Sequence, residues 1–193
     1  MPRPTKKSER RAQILDAFER AVSRYGLDGA TLDRVSEEAG LARALIRHNV
    51  GNREDLIEAF TKRFMENSDA AMASMVDHLP TEKPSTAMVN WLFQPGSSDT
   101  QLILASSALI MAGAHDRQLA KRMREWTDAF IARIEGVVKQ DYPKASREAR
   151  RAVATGISGI YFNSQSLAPL GVDTALRTRS HDAALRLLHT LDG

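Results

Sequence analysis

Apolar residues recur at every third or fourth position along almost the whole chain, and the runs are separated by Gly, Pro or Asp-Gly. That period belongs to helices that bury one face. Ile14, Leu15, Phe18, Ala21, Val22 and Tyr25 form the first such row, and Gly26 is its expected stop. No window alternates convincingly between apolar and polar residues, so the expected fold is all-α, with about nine helices.

Thr31 is a good N-cap for a short helix carrying Leu32, Val35 and Ala39 on one face. Gly40 breaks it, and a second short helix is expected from about Ala42 to Asn49, ended by Gly51-Asn52. A long helix follows from Arg53 to about Leu79. Further helices are expected over Ser85–Phe93 and Asp99–Ala114, from a cap at Asp116 to a stop at Asp141-Tyr142-Pro143, from Ser146 to Leu167, and over Asp173–Leu191. The natural boundary falls near Gly51. It divides an N-terminal three-helix unit, residues 1–51, from a helical bundle, residues 52–193.

Charge changes at the same place. Residues 1–53 hold 11 Lys/Arg against 7 Asp/Glu, whereas residues 54–193 hold 16 against 17. The positive excess therefore lies in the first quarter, and Arg3, Lys6, Lys7, Arg10 and Arg11 crowd its start. A short basic arm is either the footprint of a polyanion binder or a solvated, frayed terminus. The 193 residues are long enough to bury a core, and an apolar content of 42% is too high for disorder. With no cysteine, disulfides, Cys-ligated zinc and thiol nucleophiles are excluded. The start lacks the apolar run of a secretory signal. The charge-free stretch Thr100–His115 is too short for a bilayer span. The expectation is a soluble, cytoplasmic protein.

Thr31–Asn49 has helix-turn-helix spacing. Leu32, Val35, Ala39, Leu41, Leu45 and Ile46 are expected to bury against Ile14, Phe18 and Val22. Ala42, Arg43, Ala44, Arg47, His48 and Asn49 then face outward. Arg and Asn are the residues that read guanine and adenine edges bidentately, and Ala allows close approach. A generic helical hairpin has the same outline.

The run from Thr31 to Leu56, TLDRVSEEAGLARALIRHNVGNREDL, resembles the DNA-binding signature of the tetracycline-repressor (TetR) family. In motif the resemblance covers about residues 10–60. It implies a dimeric, ligand-released transcriptional repressor on a palindromic operator. It also implies a phosphate-binding N-cap at Thr31, recognition-helix roles for Arg43, Ala44, Arg47 and His48, and a phosphate contact at Arg53. The chain departs from the family where Arg47-His48-Asn49-Val50 replaces the usual Tyr-containing run, and where Ala42 replaces a Ser or Thr cap. Gly51-Asn52-Arg53 is similar to the Gly-Gly-Lys form of BetI-like members.

In the bundle, Met88, Trp91, Met111, Trp126, Phe130, Tyr161 and Phe162 are either walls of a small-molecule pocket or plain core. By resemblance the last two helices form the dimer interface, with Val153, Gly156, Ile157, Ile160, Leu176 and Leu187 as candidates; Gly156 and Gly159 serve equally for packing inside one chain. His-Glu-x-x-His, Gly-x-Ser-x-Gly, a P-loop and Gly-x-Gly-x-x-Gly are all absent, so neither enzyme activity nor a cofactor or metal is expected. A helical adaptor without specific DNA binding is the alternative. It is separated from a DNA-binding protein by the salt dependence that Arg3, Lys6, Lys7 and Arg53 would confer.

Overall fold

The structure, a computed structural model, describes residues 6–96, 100–171 and 174–192. Its helices are α1 (Lys6–Gly29), α2 (Leu32–Ala39), α3 (Arg43–Val50), α4 (Arg53–Asp77), α5 (Pro84–Phe93), α6 (Thr100–Gly113), α7 (Arg117–Asp141), α8 (Arg147–Leu167) and α9 (Thr174–His189), with a 3-10 turn at Ala168–Leu170. The described residues contain no strand. Arg3 and the expected helix starts Asp99 and Asp173 lie outside them.

Local chemistry explains the boundaries. Gly26 leaves the helical region at φ 68°, ψ 173°, as its expected role as a stop requires. One further turn follows to Gly29, because Leu27 and Ala30 are drawn into the core. Gly40 sits at φ 62°, where its N–H donates to Glu37 O while Leu41 N donates to Ser36 O. That pair of bonds closes the end of α2 and turns the chain into α3. At the start of α4, Asn52 Oδ1 accepts from Asp55 N and Asp55 Oδ2 accepts from Asn52 N, each at 2.9 Å. This reciprocal pair satisfies two of the donors that a helix start leaves open.

The chain packs as two compact units. One comprises Met1–Asn67 and Gln101–Ala120, the other Ser68–Thr100 and Lys121–Gly193. In the first, α1, α2 and α3 pack against one another. Phe18 of α1 and Phe60 of α4 meet edge to face, with ring centroids 5.2 Å apart. Ile14, Val22, Val35, Ile46 and Leu56 are buried with them. Around this core Arg63 bridges Asp16 and Glu19, and Glu38 of α2 receives both Arg20 and Arg24 of α1. Gln13 Nε2 donates to Ala39 O at 2.8 Å. Leu45 corrects the sequence reading. It is 36% exposed, and Val50, one turn beyond Ile46, fills the second core position of α3. Residues four apart share a helix face, whereas Leu45 is rotated about 100° from Ile46.

In the second unit α5, α8 and α9 pack together. Met88, Leu92, Ile134, Val138, Ala154, Ile157 and Leu188 form the centre of its core. Arg150 is buried and donates through Nη1 to the carbonyls of Tyr142, Pro143 and Ala145, tying off the connection before α8. Ser146 caps α8 by accepting from Ala149 N at 3.0 Å.

Two of the expected dimer residues are corrected here. Val153 and Ile157 lie in this core, because the apolar row of α8 is used within the chain. Gly156 belongs to the same packing: a Cβ placed on it would come within 2.8 Å of Leu187 Cδ1. Ile160, Leu176 and Leu187 are half-buried.

Candidate nucleic-acid interface

The helix-turn-helix presents its polar residues from one compact unit. Ala42, Arg43, Ala44, Arg47 and His48 are all exposed on α3, as the spacing predicts. Ala42 is the N-cap, at φ −61° and ψ 139°, and supplies no side-chain bond. The four amide groups that open α3 therefore lack the usual hydroxyl partner. Arg47 and His48 lie in the last turn, where a cation is favoured by the helix dipole. Ile46 and Val50 fasten the opposite face to the core, so the exposed row is held by packing and not by the row itself.

Not every candidate is free to read a base. Arg43 Nη1 lies 3.0 Å from Asp33 Oδ1 of α2, so its guanidinium is already oriented by a carboxylate. Asn49 is half-buried, and its Nδ2 donates to Leu45 O at 2.8 Å. This corrects the expectation that Asn49 faces outward: the amide folds back along its own helix, a local bond open to any Asn one turn from a carbonyl.

The phosphate candidates divide similarly. Lys6 and Lys7 are exposed in the first turn of α1. Thr31 is exposed and caps α2, its Oγ1 accepting from Arg34 N at 3.4 Å. Arg53 Nη2 donates to Leu27 O at 2.8 Å and lies 3.4 Å from Asp28 Oδ1. It therefore clamps the start of α4 to the end of α1, with part of the guanidinium still open to solvent.

Sequence reasoning missed Asp33 and Arg34. Arg34 stacks over the Tyr25 ring at 4.2 Å and donates to Gly29 O at 2.7 Å, placing an exposed cation beside the α2 N-terminus. Its i, i+9 separation from Tyr25 crosses the break between α1 and α2, so no helical spacing signals it. The Asp33–Arg43 pair spans two helices for the same reason.

In the other unit, the structure brings four of the aromatic candidates together. Phe130 stacks on Tyr161 with centroids 5.7 Å apart and meets Phe162 at 4.9 Å. Trp126 lies 5.5 Å from Phe162 and donates its indole N–H to Ser68 Oγ at 2.9 Å. Met88 is fully buried in the adjoining core, and Trp91 packs against that core. Met111 is a correction: it belongs to the other unit, on α6, and is 71% exposed, not a core or wall position. Ile110 is exposed beside it, whereas Ile103, Ala105 and Leu109 are the buried residues of α6.

No helix of the described residues is long and apolar enough to cross a membrane.

No family model matches the chain. Among curated proteins, it is 25% identical over 194 residues to the HTH-type transcriptional regulator BetI of Burkholderia ambifaria, covering 98% of this chain and 95% of that one. To the BetI of Vibrio campbellii it is 24% identical over 178 residues, covering 90% and 88%. Among solved structures, it superposes on a TetR transcription regulator from Haloarcula marismortui with a TM-score of 0.78 and 17% identity, covering 95% of this chain and 98% of that one. A transcriptional regulator from Pseudomonas aeruginosa gives a TM-score of 0.76 at 19% identity, covering 97% and 92%.

Proposed function

We propose that the chain, which shares its fold with TetR regulators and is similar over its whole length to BetI transcriptional regulators, is itself a DNA-binding regulator of that kind: a homodimeric, cytoplasmic repressor released from a palindromic operator by a small molecule. The observation that carries the reading is the outward row of α3. Arg43, Ala44, Arg47 and His48 stand exposed on a helix anchored by Ile46 and Val50. Such a helix inserts into the major groove.

DNA reading is assigned to residues 1–51 together with Arg53 at the start of α4, with Lys6, Lys7, Thr31 and Arg53 on phosphates. Ligand binding and dimerisation are assigned to residues 52–193. The Trp126–Phe130–Tyr161–Phe162 cluster, with Trp91 and Met88, is the proposed ligand wall. Two-fold symmetry places two recognition helices about 34–36 Å apart, one turn of DNA. The proposed interface uses α8 and α9 through Ile160, Leu176 and Leu187 and through the outward row Ala152, Thr155 and Gly159. The small side chains of that row let two helices approach closely.

α4 is the proposed carrier of the ligand signal, since its residues contribute to both units. A ligand that prefers one spacing of the two heads shifts the equilibrium by its difference in affinity between the two states.

Selection of bound sites from a random duplex pool at about physiological salt tests the reading. An enriched palindrome is expected, and Arg47→Ala should relax one position of it by about 1–3 kcal/mol if Arg47 reads a base. A uniform loss would make Arg47 a phosphate contact. Binding that follows salt without enrichment would replace a sequence-specific regulator with a non-specific binder. A crosslink between the two heads that left ligand release intact would overturn the role given to α4.

A further inference from the structure

We propose that Leu45 reads a thymine methyl group in the major groove, on the flank of α3 opposite Arg43. The inference rests on the DNA-reading role above and deepens it.

Arg43 and Leu45 are two residues apart, which on an α-helix places them about 200° around the axis from each other. They therefore occupy opposite flanks, with Ala44 and His48 between them. The Arg43 flank is polar and oriented by Asp33 at 3.0 Å. The other flank holds Leu45 and, one turn on, Asn49. Asn49 is half-buried and its Nδ2 is engaged by Leu45 O at 2.8 Å. That bond takes one of its two amide protons and ties the side chain back along its own helix. Leu45 is left as the outermost side chain on this flank, 36% exposed, beside the small side chain of Ala44.

A single exposed leucine on a protein surface needs no explanation. On a helix that enters the major groove it meets base edges. Those edges carry hydrogen-bonding groups and one apolar group, the 5-methyl of thymine, which 5-methylcytosine also bears. Contact with the methyl removes apolar surface from water on both sides without leaving a base edge unpaired. A guanine or an unmethylated cytosine at that position would set a polar edge against the isobutyl group.

The test uses the palindrome selected from the random pool, with thymine replaced by uracil at one symmetric position at a time. The only chemical change is the lost methyl. At one position, uracil should weaken wild-type binding about fourfold for each half-site, the scale of one buried methylene. Leu45→Ala and Leu45→Gln should bind thymine and uracil alike there; the second keeps side-chain length and helix propensity. With cytosine at the same position, adding a 5-methyl group should strengthen wild-type binding and leave both variants unchanged. Circular dichroism of the two variants separates a lost contact from a lost fold. Wild-type indifference to uracil at every position would overturn the proposal, as would sensitivity that survives in both folded variants. Failure to select any palindrome would instead overturn the DNA-reading role itself, and this inference with it.

Discussion

The guanidinium of Arg43 donates to the carboxylate of Asp33 at 3.0 Å, linking α3 to the helix before it. Both side chains are more than half exposed. An ion pair of that kind adds less than about 1 kcal/mol to stability. In the proposed DNA-reading role its consequence lies in the geometry of the cation, which is presented to a base in one orientation instead of many. Asp33→Ala should therefore leave the unfolding midpoint nearly unchanged. It should lower discrimination at the base Arg43 reads while raising affinity for random duplex, because a negative charge beside the phosphates is gone. Arg43→Ala should lose the same discrimination. Binding curves on specific and random duplexes separate the two, and equal losses on both would remove Asp33 from any orienting role.

Arg53 carries two separable roles. Its bond to Leu27 O at 2.8 Å holds α4 to the end of α1, and its charge is assigned to a phosphate. Arg53→Lys keeps the charge but loses the planar fork, so it should cost about 1 kcal/mol of stability with an unchanged salt slope. Arg53→Ala should cost similar stability and also flatten the plot of log affinity against log salt, by about 0.9 for each phosphate released. An unchanged slope in the alanine variant would make Arg53 purely structural.

Gly51 joins α3 to α4 at φ 103°, a region that L side chains rarely adopt. A Cβ there would collide with Asp55 Oδ2, the atom that accepts from Asn52 N. Gly51→Ala should therefore cost about 1–3 kcal/mol from backbone strain, and operator affinity should fall with it, because Val50 and Ile46 set the seat of α3. Thermal unfolding beside a binding titration checks this. An unchanged midpoint would mean that the junction relaxes freely.

Tyr142 gives the fold an alkaline limit. Burial, then the nearby Asp192 and Asp141 charges, raise its phenol above the ordinary value near 10. The folded state thus holds this proton more tightly than the unfolded chain. The stabilisation is complete below about pH 10 and is lost as pH rises through the folded value. Tyr142→Phe should flatten that alkaline decline, as read from denaturant midpoints at about pH 8 and about pH 11. An identical decline in the variant would assign it to other groups.

The sequence alone determined that the chain is helical and where most of its helices turn. Helical period and capping are local, so Gly26, Gly40, Ser146 and Asp116 could be read in order along the chain. It also placed Arg43, Ala44, Arg47 and His48 on one outward row, since Ile46 had to face inward. Packing between elements was not legible. The charge balance changes at Gly51, yet Phe60 of α4 packs on Phe18 of α1. Charge marks the surface, and the core runs past it. Val153 and Ile157 have the apolar spacing of an interface and are used as core, because a periodic row shows that a face is buried and not what buries it. Only the tertiary structure decided that Asp33 meets Arg43, that Arg34 stacks on Tyr25, and that Asn49 folds back while Leu45 stands exposed. Those outcomes depend on how separate helices cross and on which neighbour captures a side chain, and neither is written in the spacing of one helix.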